Sequence, residues 1–127
     1  MEWLWLALYV LASAYVIWEA SPAGWHKIPG GDAVAGFSEH LGLPPTAFRL
    51  IGLAEVAGSF GLVAGFFNKP LGIAAAAGLT LLFIGAALSH VKAKDGWGGA
   101  KTPTLIAIVA ALALVFRILA TLPTVQF

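Results

Sequence analysis

Two residues stand out for the chemistry they could do. Glu55 lies in an otherwise uncharged apolar run from Leu50 to Phe67, and His90 closes the next run, which begins at Leu71. An ionised carboxylate near the middle of a membrane helix costs about 2.5–3.5 kcal/mol on insertion scales, so it must be protonated, paired or turned toward a wet cavity. An imidazole within reach could share its hydrogen bond and exchange protons near neutral pH. The turn at Asn68, Lys69 and Pro70 is too short for anything but an antiparallel hairpin, which puts His90 at the same end as the start of Glu55's helix. Helical side chains lean toward their own N-terminus, and this narrows the axial gap between the two. At 1.5 Å per residue Glu55 still lies about 8–14 Å deep, so contact is expected either directly or through one water or ligand group. Glu19, His26 and Arg49 fall at the same end. The expected ligand or proton pocket is therefore Glu55, His90, Arg49, Glu19 and His26 at the mouth of a helix bundle. For Glu19, His26 and Arg49 the simpler expectation is an interfacial side chain reaching toward headgroups.

Other chemistries lack their residues. The chain has no cysteine, which removes disulfides, thiolate metal sites and iron–sulfur ligation. Of its histidines, His26 and His40 sit in a connector, and no His-x-x-x-His or Glu-x-x-His pair occurs on a helix. No metal-bound or covalent cofactor and no catalytic residue is expected, which leaves quinone or lipid as the ligand classes. A formal net charge of +1 is too small a bias for a nucleic-acid partner.

The elements that must position these residues follow from composition. The 127 residues are 60% hydrophobic and 10% charged, with a mean hydropathy of +0.90, whereas soluble domains carry roughly 25% charged residues. Four apolar runs predict an all-α, integral membrane four-helix bundle as a single domain over residues 1–127, with spans at about 3–20, 46–67, 71–91 and 103–122. A soluble bundle would need a polar stripe on each helix, and none of the runs has one. The first run lacks the basic residues that open a signal peptide. Pro22 is expected to break the first helix near Ala20, and Pro103 to open the fourth. Within the first connector, residues 32–41 predict a short interfacial helix with Asp32 as N-cap, Val34, Phe37 and Leu41 on one side, and Gly42 closing it.

Ala57, Gly61 and Gly65 form a ladder of small residues four apart, expected to pack helix on helix within the bundle. Trp3, Trp5, Trp18, Trp25 and Trp97 fall near span ends, as an aromatic belt would place them. Arg117, at the far end of the fourth helix, is expected to snorkel outward or pair with Glu2. The two long connectors hold Lys27, Arg49, Lys92, Lys94 and Lys101 against Lys69 and Arg117 opposite. The positive-inside rule then puts those connectors in the cytoplasm and the termini outside, in a bacterial or archaeal cytoplasmic membrane.

Ile51-Gly52-Leu53-Ala54-Glu55 with Gly58 and Gly61, then Gly72, Gly78-Leu79 and Gly85-Ala86 followed by His90, resembles the DoxX-like membrane proteins over about residues 44–91. The resemblance implies a four-helix membrane bundle. That family takes its name from a small subunit of a thiosulfate:quinone oxidoreductase, so the resemblance also implies a redox-linked accessory role. Members often carry a Gly and then a Lys near the end of the first helix; here Glu19 is expected in that region, with Lys27 later. The leading expectation is an accessory or scaffold subunit of a larger membrane complex, or a homo-oligomer in the bilayer, with no activity of its own. The alternative is a quinone- or lipid-binding oxidoreductase component with a Glu55/His90 pocket. A transporter is the weakest reading, since the sequence shows neither an internal repeat nor a broken helix pair.

Overall fold

Helix formation runs past both of the prolines that the sequence marks as boundaries. The computed structural model describes residues 1–123, in the order α1 (Glu2–Lys27), α2 (Asp32–His40), α3 (Pro45–Phe67), α4 (Lys69–Lys92) and α5 (Gly96–Leu119). All but α2 are long and apolar enough to cross a membrane. The four-helix membrane bundle is thus the architecture of this chain.

The first correction concerns α1, which continues for two turns beyond Ala20 with Pro22 inside it. Packing overrides the local breaker. A Cβ on Gly24 would sit 2.6 Å from the Gly52 carbonyl oxygen, and one on Gly52 would sit 2.6 Å from Lys27 Cβ, so the two backbones cross in near contact. Proline is tolerated in membrane helices where a neighbour restores what the missing N–H removes. The second correction is α5, which starts at Gly96 and holds Pro103 in its interior. The connector before it shrinks to residues 93–95, closed by a Schellman turn in which Asp95 N–H donates to His90 O and Lys94 N–H to Val91 O, with Lys94 left-handed at φ 63°.

The spans form a ring in which α1 packs on α3 and α5, and α4 packs on the same two. Tyr9, Val16, Ala20, Leu62, Ala76, Leu79, Ile106 and Ala110 fill its axis. Large apolar side chains of all four spans face outward, among them Leu11, Phe60, Leu81 and Ile108, as lipid contact requires.

Arg117 corrects another expectation. It does not snorkel; it is fully buried, and its guanidinium donates to the carbonyls of Gly65 and Ala120, each at 2.7 Å. Glu2 does not pair with it. Instead Glu2 accepts from the Thr121 and Leu122 amides at 2.9 and 3.1 Å. Arg117 thereby meets carbonyls at the C-terminal ends of α3 and α5, which lack intrahelical partners, while Glu2 holds the amides that follow α5.

Candidate functional site

At the opposite end of the bundle, α2 partly roofs an open cavity of about 900 Å³ bounded by the end of α1, the first half of α3 and the last half of α4. Gly30 and Gly31, at φ 78° and 108°, turn the chain back after α1. Helix α2 then lays Val34 and Phe37 over the opening, with Leu41 just beyond its end. Its N-cap is Gly31 and Asp32 is its first residue, one position from the expectation. Gly42, left-handed at φ 72°, follows its C-cap.

The walls are mostly apolar, with Phe48, Ile51, Leu82, Phe83 and Ala86 among them, and polar groups enter at only a few points. Glu55 lines the deep side and is 1% exposed. Its Oε1 is in an ion pair with Lys27, and its Oε2 is buried with no hydrogen-bond partner. Lys27 also lies 5.4 Å from the centroid of the Phe48 ring, a cation–π contact that holds the ammonium at the cavity wall. The expectations missed Lys27 because they placed it in a connector. Its position at the end of α1 follows only from the Gly24–Gly52 crossing.

His90 lines the same cavity nearer its mouth, together with Ser89 and His26. Ser89 spends its hydroxyl on the Gly85 carbonyl. His90 and Glu55 do not bond directly: His90 Nδ1 lies 2.7 Å from Asp95 Oδ2, while His40 Nε2 at the end of α2 lies 2.6 Å from Asp95 Oδ1. One carboxylate thus ties the α2 roof to the α4–α5 corner. Gly99 permits this, since a Cβ there would lie 3.0 Å from His90 Nδ1. Neither Asp95 nor His40 is among the residues that the sequence marks for the pocket, since both lie in stretches that look like connectors.

Two of the proposed pocket residues stand elsewhere. Arg49 is six residues before Glu55, about 120° around α3 at 100° per residue. It faces outward, donating Nε–H to the Ile28 carbonyl at 2.7 Å and so tying down the end of α1. Glu19 is half-buried two turns deeper on α1, which gives the cavity Ala23, His26 and Lys27 but not Glu19. In the small-residue ladder, Gly61 and Gly65 meet α4 at Ala75 and Gly72, whereas Ala57 is exposed. Steps of four residues drift by about 40° each. Gly58, seven residues before Gly65 and so about 20° from it, takes the contact and rests on Leu79.

A family model described as the DoxX-like family matches residues 4–116. The chain belongs to the DoxX-like family. The match takes in every residue of the cavity. Helix α1 reaches Lys27, so Gly24 and Lys27 both lie in its last turn. No curated protein and no solved structure matches the chain. Among the described residues no group of three or more His, Asp or Glu is placed to hold a metal ion.

The roof contact has a definite pH dependence. Hydrogen bonds to His90 and then His40 hold the Asp95 carboxyl below its ordinary value of 3.8. A depressed carboxyl contributes its stability above that ordinary value and loses it as pH falls through the lower folded value. A spin label on a single cysteine at position 35 of α2 is expected to stay immobile at neutral pH and to loosen only once the pH has fallen below the ordinary carboxyl value. Asp95→Asn should abolish that acid step; a step that persists in this variant would assign it to another group.

Proposed function

We propose that this membrane protein binds the ring of a lipid-soluble quinone in the α2-roofed cavity and acts as a small quinone-site subunit beside a larger redox partner, with its connector end in the cytoplasm. The supporting observation is Glu55, whose paired carboxylate keeps one oxygen unsatisfied inside an otherwise apolar wall. A buried acceptor left without a donor costs about 1–3 kcal/mol, so a ligand that supplies the donor gains that much. The cavity volume is in the range of small-molecule sites, about 300–1,000 Å³, and a ring carrying an apolar tail suits walls of Phe48, Ile51 and Phe83. The Lys27–Glu55 pair and His90 supply groups able to take and return protons at two points of the same cavity.

The test is binding of a short-tailed alkyl benzoquinone and its reduced form to the purified protein in micelles, read as saturable titration heat. Wild type should bind at least one form saturably, and Ala86→Trp, which fills the cavity, should weaken binding by at least tenfold (about 1.4 kcal/mol). Absence of saturable binding of either form, with a phospholipid retained through purification, would replace this reading with a lipid site.

A further inference from the structure

We infer that the cavity opens sideways into the bilayer between α3 and α4, and that the ligand's apolar tail leaves through this flank, not toward water at the connector end. The inference rests on the ring-binding reading above and adds where the rest of the ligand lies. Near the hairpin the two helices are pressed together. A Cβ on Gly65 would meet Gly72, one on Gly61 would meet Ala75 and one on Gly58 would meet Leu79, all at 2.8 Å or less. Past that last contact the cavity lies between them, with Ile51 and Glu55 on its α3 side and Leu82 and Ala86 on its α4 side. The wall does not stop at Leu82. It continues round α4 to Gly85 and Leu81. At 100° per residue these lie about 60° and about 100° from Leu82, both in the sense away from the core residues Ala76 and Phe83. Leu81 lines the cavity and is still 71% exposed. A Cβ on Gly85 would meet nothing within 4 Å, so this stretch of wall borders open space.

Depth decides what fills that opening. Leu81 lies about 16 Å along α4 from its end at Lys92, and Glu55 about 15 Å along α3 from its start at Pro45. Both stand near the middle of a hydrocarbon layer about 30 Å thick, so the flank meets acyl chains at the level of the deep carboxylate. Polar groups enter the cavity elsewhere. His26, Ser89 and His90 sit toward the connector end and the Lys27–Glu55 pair at the deep side, whereas the flank offers Leu81 and a glycine with no side chain. A ring held at either polar point therefore has hydrocarbon beside it. Its attached chain can pass out over Gly85 and stay among lipid tails, where it needs neither to fold inside the cavity nor to cross the polar mouth. The site is thus matched to a single-chain amphiphile drawn from the membrane.

The experiment uses two benzoquinones with the same ring, one with a two-carbon and one with a ten-carbon tail, in the oxidation state that wild type binds. Each is titrated into wild type, Gly85→Trp and Gly78→Trp in micelles. A ligand is compared only with itself across the variants, so its partition into the micelle cancels. Gly78 is exposed on the same face of α4, two turns toward the hairpin, and a Cβ there also meets nothing within 4 Å, but it does not line the cavity. It reports what a tryptophan on that face does by itself. Gly85→Trp should weaken the long-tailed ligand about tenfold or more and the short-tailed one by less than about threefold, which also shows that the variant is folded. Gly78→Trp should leave both within about twofold. Long-tail binding to Gly85→Trp that matches wild type overturns the flank while the ring site stands. Equal weakening of both ligands by Gly85→Trp overturns it too, because the ring itself would then lie at Gly85, and so does an equal long-tail loss in Gly78→Trp, which would lay the tail along the outer face of α4. Failure of wild type to bind either ligand overturns the ring site itself, and the flank with it.

Discussion

Lys27→Met is expected to destabilise the bundle by about 3–5 kcal/mol, the usual consequence of removing one member of a buried ion pair. Glu55 is 1% exposed and already has one unpartnered oxygen, so losing Lys27 leaves the whole carboxylate without a charged partner. The opposite deletion should be milder. Lys27 is 21% exposed at the end of α1, and its stem can carry the ammonium outward once Glu55 is gone. In the double variant Lys27→Met/Glu55→Leu both charges are removed together, and replacing a buried pair by apolar groups is often close to neutral. Denaturant titration in micelles, followed by tryptophan fluorescence, should therefore show the double variant more stable than Lys27→Met alone. Were the two single costs simply to add, the pair would not be coupled, and Glu55 would have some other partner.

The same pair shows why the sequence revealed so much of the bundle and so little of the site. Span number, the hairpin at Asn68 and the short helix in the first connector follow from run length, charge spacing and turn residues, which are properties of neighbours along the chain. Where α1 stops is not such a property. Pro22 signals a break locally, and only the close approach of Gly24 to Gly52 on another helix carries α1 on to Lys27. Glu55 was recognisable because a carboxylate in an apolar run is anomalous anywhere. Lys27 was not, because a lysine near Trp25 and Pro29 reads as an ordinary boundary residue. Asp95 was hidden for the same reason: beside Lys94 and two turns before Pro103 it looks like solvated loop, yet it caps α5 and receives two histidines from separate elements. A glycine in each of two long apolar helices, placed where one helix ends and another begins, was the one available sign that those ends cross.

Gly65→Ala is expected to cost about 3 kcal/mol or more, the largest effect among the small residues of α3. A Cβ there would lie 2.2 Å from Gly72 Cα and 2.4 Å from Tyr9 Oη. Backbone cannot rotate aside, and the tyrosine is itself anchored, donating to the Leu62 carbonyl at 2.6 Å. The α3–α4 crossing must therefore open, at an overpacking cost of about 1–3 kcal/mol. Opening it also pulls the Gly65 carbonyl away from the buried Arg117 Nε–H, and a hydrogen bond to a charged group contributes about 1.5–3 kcal/mol. Gly61→Ala meets a single methyl, Ala75 Cβ at 2.8 Å, and should cost less. Ala57→Leu adds bulk on an exposed position and should change little. Melting of the three variants in the same micelles orders them directly. If Ala57→Leu disrupted the protein while Gly65→Ala melted like wild type, the helix contact would follow the four-residue ladder through Ala57, and the crossing through Gly58, Gly65 and Gly72 would be wrong.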